Sequence, residues 1–579
     1  MRRRAASAWK RRTRNAAARF ILAWLLLAPV AEAGDRLVFV EALRQGIDGV
    51  DGIQTPWSAA VSPDGAHVYV AGWASYAIAV FRRDATSGTL EFVETKEDGV
   101  DGVEGLDEPT GVIVSPDGRN VYVTAYEDNS VVVFDRDAST GRLAFAQVFR
   151  AGVDGVHGLT GASSLTLSHD ARYLYVTSEL EGALVVFSRD PSTGLLTWLG
   201  RVKDGESGID GMAGARSVAV SPDGRHLYVS GRWEPGPAIF ERDQFNGALY
   251  FRGVPSGGPV QYEYASVLVS PDGKHVYVTT EYLGIALLHR DAVTGLLTFA
   301  GYQPIDLGVS EPFTMVQNAD GTRIYISGVG DMQLESFRRD PITGALTVLD
   351  VARDGVDADG NRDGPDLALA VSPDGAHVYL GGGPYGYFGE PTDSSVTTFR
   401  QSITCAPAPS GGCRQTTVPG RAKLALRNGS EPRPDSLKFR WSKGQATDAS
   451  SLGDPFLTAD YALCVYDSPA GTPQLRLGPT LPPETDCAAA PCWTTTPIGF
   501  RYRSRSGAPE GLVSANLNTG DDGRATLVVA GKGAALSVES LGWTAPVIVE
   551  VHASTGACWE ARFSTLATND GTRLRATSD

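Results

Sequence analysis

"VSPDGAHVYV", residues 61–70, decides the fold, because the chain writes it seven times. It returns as "VSPDGRNVYV" (114–123), "LSHDARYLYV" (167–176), "VSPDGRHLYV" (220–229), "VSPDGKHVYV" (269–278), "QNADGTRIYI" (317–326) and "VSPDGAHVYL" (371–380). Successive copies start 48 to 54 residues apart. Each reads as two β-rich runs joined by a tight turn: Pro pre-sets the first corner, Asp bonds its own backbone, and Gly takes the positive φ. A second signature follows the first six copies, from "RDATSGTL" (83–90) to "RDPITGAL" (339–346). It marks another hairpin, so each repeat holds four strands, a to d, with the first turn joining a to b and the second c to d.

The seventh copy lacks the second signature, and its third strand ends at "VTTFR", 396–400. The missing strand stands at the other end of the chain. "LVFVEALRQGIDGVDG" from Leu37 aligns with "LEFVETKEDGVDGVEG" from Leu90, so residues 37–44 are a fourth strand without a first three. Joining the two fragments closes a ring and hides both sheet edges. The expected fold is all-β: a seven-bladed β-propeller over 34–400, closed by its N-terminal strand.

The pairing of "SPDGxxVYV" with "RDxxTGxL" resembles the lactonase-type β-propeller family, which includes bacterial 6-phosphogluconolactonases and YVTN-repeat surface proteins. The resemblance covers roughly residues 36–400. It implies the fold and the blade number. It speaks less to activity, since such propellers serve as enzymes, electron-transfer accessory proteins and adhesins.

Residues 1–33 read as a signal peptide. Eight basic residues between Arg2 and Arg19 precede the apolar run "FILAWLLLAPVA", and "AEA" at 31–33 places cleavage after Ala33. The general secretory route is favoured over a twin-arginine route through Arg11 and Arg12, and an uncleaved anchor is the next alternative. Cleavage removes one acidic residue and eight basic ones, so the mature chain is more acidic than the −16 of the whole. Such a charge disfavours nucleic acid and anionic membranes, and no later segment is long enough to span a bilayer. A secreted or periplasmic monomer follows, presenting a small-molecule, glycan or protein ligand with an acidic face.

All six cysteines lie between 405 and 558, which in an exported chain suggests disulfides. "CAPAPSGGC" reads as part of a linker over 401–420. Short alternating runs such as "AKLALR", "LKFRW" and "VIVEV" then imply a β-sandwich over 421–579. It resembles a Cys-containing module found at the C-termini of other secreted bacterial proteins. The expected pairing is Cys405–Cys413, Cys487–Cys492 and Cys464–Cys558, out of fifteen arrangements.

Antiparallel strands put the a–b and c–d turns on one face and the b–c loops and blade junctions on the other. His67, His226, His275 and His377 occupy the same place on four blades, so they belong to the repeat rather than to a metal set. The Arg-Asp pairs of the second signature are likewise turn and packing elements. The Asp-Gly stretches, such as "GIDGVDGI" at 46–53, are all blade junctions and are expected near the axial channel. There they join the b–c loop acids Glu127, Asp128, Glu179, Glu181, Glu234 and Glu281. Trp73, Tyr126, Trp233, Tyr282, Tyr385 and Tyr387 add flat apolar surface. Among the junctions, "DGVDADGNRDG" (354–364) sets Asp357, Asp359, Asn361 and Asp363 on alternate positions after Asp354. That spacing suggests calcium, although Arg362 takes the glycine place of an EF-hand loop and no Glu closes it.

These features favour a non-catalytic binding or surface protein. The alternative, implied by the resemblance, is hydrolysis of an unphosphorylated lactone at the channel mouth. His157 or Glu179 would be the base, and Arg216, opening the inner strand of the fourth blade, or a bound cation would stabilise the oxyanion.

Overall fold

The computed structural model describes residues 37–579 except 235, 256–263, 281–283, 304, 306–311, 329–332, 354–365, 384–393, 404, 430–433, 457–458, 482–491, 505–510, 537 and 539. The signal-peptide reading of 1–33 therefore lies outside the described residues. So do the calcium loop, Glu281, Tyr282, Tyr385 and Tyr387. Among the described residues no helix is long and apolar enough to cross a membrane.

Residues 37–401 form seven four-stranded antiparallel sheets. Six are built from consecutive strands, as in the first blade: Pro56–Val61, His67–Gly72, Ala77–Arg83 and Leu90–Glu97. The seventh takes Asp366–Val371, His377–Gly382 and Ser395–Gln401 from the end of the ring and Leu37–Arg44 from its beginning. Leu37 pairs with Gln401 and Arg44 with Ser395, so the split repeat is mended strand to strand. The inner strand Pro56–Val61 touches both Pro109–Val114 and Asp366–Val371, which closes the ring. Alternating Val, Ile, Leu and Tyr of the middle strands are fully buried between blades, giving one small apolar core per joint.

The two sequence signatures turn out to be halves of one inter-blade clamp. Arg136, from the second signature of blade 2, donates from Nε to the Tyr69 hydroxyl of blade 1 at 2.6 Å and from Nη1 to the Gly118 carbonyl at 2.8 Å. Its Nη2 meets Asp64 at 2.9 Å and His67 Nδ1 at 2.8 Å. Tyr69 in turn donates to the carbonyl of Gly141, in the turn that follows Arg136, at 2.9 Å. Gly141 has φ +76°, and a Cβ there would lie 2.3 Å from the His67 ring, so only glycine fits. Arg83, Arg189, Arg242, Arg290 and Arg339 repeat the clamp at five more joints. Asn120 and Tyr173 stand in for the histidine at two of them. At the joint of blades 6 and 7 the position carries Gln401 instead.

The four described Asp-Gly stretches lie at the outer rim, not near the channel, because each begins where the outermost strand ends. Gly46 donates to the Val50 carbonyl and Val50 to that of Ile47, closing a tight corner. Asp98 and Asp204 accept the amides of Leu106 and Met212, at 2.9 and 3.0 Å, fixing the turn back toward the axis. The third glycine of the pattern slides past the neighbouring outer strand: a Cβ on Gly105 would meet Val148 at 2.7 Å. These stretches are corners.

Residues 422–577 form an eight-stranded and a five-stranded sheet around a shared core that includes Trp441, Trp493 and Trp559. Two of the three expected disulfides are corrected. Cys405 bonds Cys464 and Cys413 bonds Cys558; Cys492 is also disulfide-bonded, while Cys487 lies outside the described residues. A short loop closure seemed natural from spacing alone. Instead, both ends of "CAPAPSGGC" are stapled to strands of the five-stranded sheet, making a strap across its outer surface. Beside the strap, Arg400 of blade 7 pairs with Asp460 at 3.0 Å, with side chains 7% and 1% exposed. Asp460 also accepts the Ile403 amide at 2.8 Å.

Two outcomes follow from the clamp. Arg136→Ala strands a buried tyrosine hydroxyl, the Gly118 carbonyl and the His67 Nδ1 and should cost about 3 kcal/mol in denaturant unfolding. The histidines accept from arginine, and burial, then the arginine charge, holds all four below their usual value, His377 at about 4. A depressed histidine contributes stability above its unfolded value, which is lost as pH falls from about 6.5 toward 4. Replacing all four with Asn, as Asn120 already does in blade 2, should flatten that acid slope in urea titrations run across this pH range.

Candidate functional site

The inner strands start on the face that carries the b–c loops, so their first residues ring one mouth of the axial channel. Each described start contains a β-bulge that takes one residue out of the ladder and re-aims its side chain: Trp57, Thr110, Ser163 and Arg216 in blades 1 to 4. Thr110 and Ser163 donate to the inner-strand carbonyls of the next blade, Ala162 and Ala215, at 2.8 and 2.9 Å. Trp57 and Arg216 serve the mouth. The corresponding loops of blades 5 to 7 lie largely outside the described residues.

Trp57 stacks on Trp73 of its own blade's b–c segment, with ring centroids 6.0 Å apart and planes 29° apart. Beside this apolar wall stands Glu108, the residue before the second inner strand. Burial, then the charges of Glu127 and Asp107, pushes its carboxyl up to about 7, against a hydrogen bond from Trp73. Its backbone is left-handed, φ +57°. Blades 3 and 4 fill the same place with Gly161 and Gly214, both also at positive φ. Holding a glutamate there costs about 1 kcal/mol or more, the kind of local strain found at working sites.

Glu179 is buried and takes Arg216 Nε at 3.2 Å and Arg232 Nη1 at 3.4 Å on its two oxygens. It orients two guanidinium groups from blade 4 and is thereby occupied as an anchor. Between the two clusters lies Tyr126, whose hydroxyl is pushed up by burial and then by Glu179, and feels Arg216, Glu127 and Glu108 as well. The described mouth thus runs from a tryptophan pair, through a near-neutral carboxyl and a phenol, to a carboxylate-held arginine pair.

Of the three residues singled out from sequence, Glu179 and Arg216 meet and His157 does not join them. His157 is exposed at the outer rim, edge-on to Trp198 of the outermost strand at 6.4 Å. Its junction starts at the outside of the blade, which sequence position does not reveal. Glu108 escapes a reading by residue type because it looks like one more acid in an acidic loop. The available signal is "EP" at 108–109 where blades 3 and 4 write "GA", a pair that recurs in the sequence at 311–312.

A family model described as lactonase, 7-bladed β-propeller, matches residues 48–157, 155–258 and 251–355. The chain belongs to this lactonase propeller family. A 6-phosphogluconolactonase of Pectobacterium carotovorum subsp. carotovorum (strain PC1) is 25% identical over 154 residues, which are 27% of this chain. The match spans 44% of that relative's length. Among solved structures, the periplasmic gluconolactonase of Pseudomonas aeruginosa is 22% identical with a TM-score of 0.43, covering 55% of this chain and 95% of its own. Hydrazine synthase of Kuenenia stuttgartiensis is 18% identical with a TM-score of 0.45, covering 62% and 99%.

In this lactonase-family propeller a divalent cation has one described set of carboxylates to use. Asp204, Asp210 and Glu234 bring ligand atoms within 4.8 Å of one another at the junction of blades 3 and 4. Burial, then the charge of Asp204, raises Glu234. The equivalent acids of blades 2 and 3 are neutralised by protein cations, Asp128 by Arg150 at 3.5 Å and Glu181 by Arg201 at 3.4 Å. Oxygen ligands of this kind suit calcium. Millimolar calcium should raise the melting temperature, and Asp210→Asn should cancel that rise; an unchanged melting curve with chelator excludes the ion.

Proposed function

We propose that this protein hydrolyses an unphosphorylated lactone at the mouth lined by Glu108, Tyr126, Arg216 and Arg232. Membership of the lactonase family supports the reaction class. What carries the assignment to this mouth is the Glu108 carboxyl, raised to about 7 by burial and by neighbouring acids, with Tyr126 standing between it and the Glu179-held arginine pair. Ester hydrolysis near neutral pH needs a base that is partly free yet strong enough to take a proton from water. Glu108 meets that need where an ordinary surface carboxylate does not.

In the proposed cycle the ionised Glu108 takes a proton from a water molecule as its oxygen attacks the ring carbonyl. The developing oxyanion is stabilised by the guanidinium of Arg216, which Glu179 holds in one orientation. Collapse breaks the ring C–O bond, and protonated Glu108 returns the proton to the departing alkoxide. The product is a hydroxy acid, whose carboxylate Arg232 is placed to receive. Glu179, with both oxygens engaged, is a positioning residue. Acids around Glu108 disfavour a phosphorylated substrate, as does the export implied by the N-terminal segment.

A panel of unphosphorylated five- and six-membered lactones, corrected for spontaneous opening, provides the test. The kcat/KM should rise with pH through an apparent pKa near 7 as Glu108 loses its proton. Glu108→Gln should lower kcat about 100-fold or more and abolish that pH dependence. The same variant should be more stable than the parent above pH 7. There the parent bears a half-buried charge whose proton affinity exceeds that of the unfolded chain, a cost that fades as pH falls toward 4.5. Absence of turnover across the panel would sink the enzymatic reading and leave ligand binding at this face.

A further inference from the structure

The sandwich buries a carboxylate that nothing in the propeller chemistry uses. Glu550, on strand Val547–Ala553, is 0% exposed. Directly across the ladder stands a second glutamate, Glu560. Burial, then the charge of Glu550, raises the Glu560 carboxyl. Like charges on facing positions of neighbouring strands are destabilising, and a fully buried carboxylate needs compensation. Glu550 receives the Ser410 amide of the strap at 3.0 Å and lies 2.8 Å from His552 Nε2. Cys413 closes the group: ligand atoms of Cys413, Glu550 and His552 all lie within 4.8 Å of one another. Cys558, its disulfide partner, is the ladder partner of His552.

A sulfur from the strap, with an imidazole nitrogen and a carboxylate oxygen from one strand, forms a zinc donor set rather than a calcium one. Around a tetrahedral zinc such atoms lie about 3.3–3.7 Å apart, so the 2.8 Å Glu550–His552 contact opens slightly while the sulfur stays within the 4.8 Å it already keeps from both. What blocks the metal is the disulfide, because the thiolate is the metal ligand and a bonded sulfur is a poor one. Glu550 and His552 are already side by side, and the histidine is part-exposed, which leaves a route from solvent.

We propose that opening the Cys413–Cys558 disulfide unmasks a site for zinc or a like thiophilic divalent ion, with Cys413, Glu550 and His552 as ligands. The fourth position would go to water or to Cys558. The reductant is a dithiol: it supplies two electrons and two protons, leaves as its own disulfide, and converts the bond to two thiols. Metal binding then displaces the Cys413 proton to solvent. The disulfide thus acts as the cover of a metal site as well as the staple of the strap.

Full-length Cys558→Ser protein frees Cys413 without any reductant, and cobalt serves as the spectroscopic stand-in for zinc. One titratable thiol and a near-ultraviolet thiolate-to-cobalt band, displaced by zinc, are expected. Adding His552→Ala or Glu550→Gln should weaken cobalt binding at least tenfold, and the oxidised parent should give no band. Dithiol-treated parent protein should reproduce the band, which guards against a misfolded variant. The proposal is overturned if the free thiol is present and the circular dichroism native while no band forms. It is equally overturned if the band survives both second substitutions undiminished.

Discussion

A buried arginine at six of the seven joints turns separate sheets into a ring. Taken singly, each four-stranded blade is a marginal object with two apolar faces and exposed edges. The clamp welds neighbours with a guanidinium that uses its donors on a tyrosine hydroxyl, a turn carbonyl, an aspartate and a histidine. Buried charge is tolerable here because almost every donor is matched and the aspartate stays partly in solvent. The same interaction explains residue choices that look unrelated, such as the histidine after one turn and the glycine of the next. It also marks a seam. Where blade 7 meets blade 6 the arginine gives way to Gln401, and the neighbouring Arg400 turns to Asp460 of the sandwich.

The architecture was legible because it is written in repetition, and repetition survives without knowledge of contacts. The seven turns, the split blade and the apolar alternation could all be read directly. That the two signatures grip each other could not, since Tyr69 and Gly141 are 72 residues apart and meet only once blades are stacked. The histidines were correctly set aside as repeat furniture, but their partner was invisible. The pairing of Cys405 and Cys413 failed for a related reason. Near neighbours in sequence suggested small loops, whereas the strap runs over a sheet and is fastened at each end to a different strand.

At the mouth, radial position matters more than proximity along the chain. His157 sits only a few residues before an inner strand, yet those residues are the ones that cross the blade. Arg216 reaches the mouth through a bulge, and Glu108 through a left-handed residue that two sister blades assign to glycine. Bulge and left-handed residue both belong to the repeat, and what differs from blade to blade is the side chain placed there. In a molecule built from near-identical units, the site is found where a repeated backbone feature is given a different side chain.

The closing strand Leu37–Arg44 has a temporal consequence. It is made first, yet its pairing partner Ser395–Gln401 is the last strand of the ring to be synthesised. Until then "LVFVEALR" is an apolar strand with two vacant edges, attached to a growing chain that cannot yet close. Six blades can stack as they emerge, by local contacts, while the final one waits for its two halves to find each other across the whole ring. The step that completes the fold is therefore its least local contact, and the interval before it is when this chain is most exposed to aggregation.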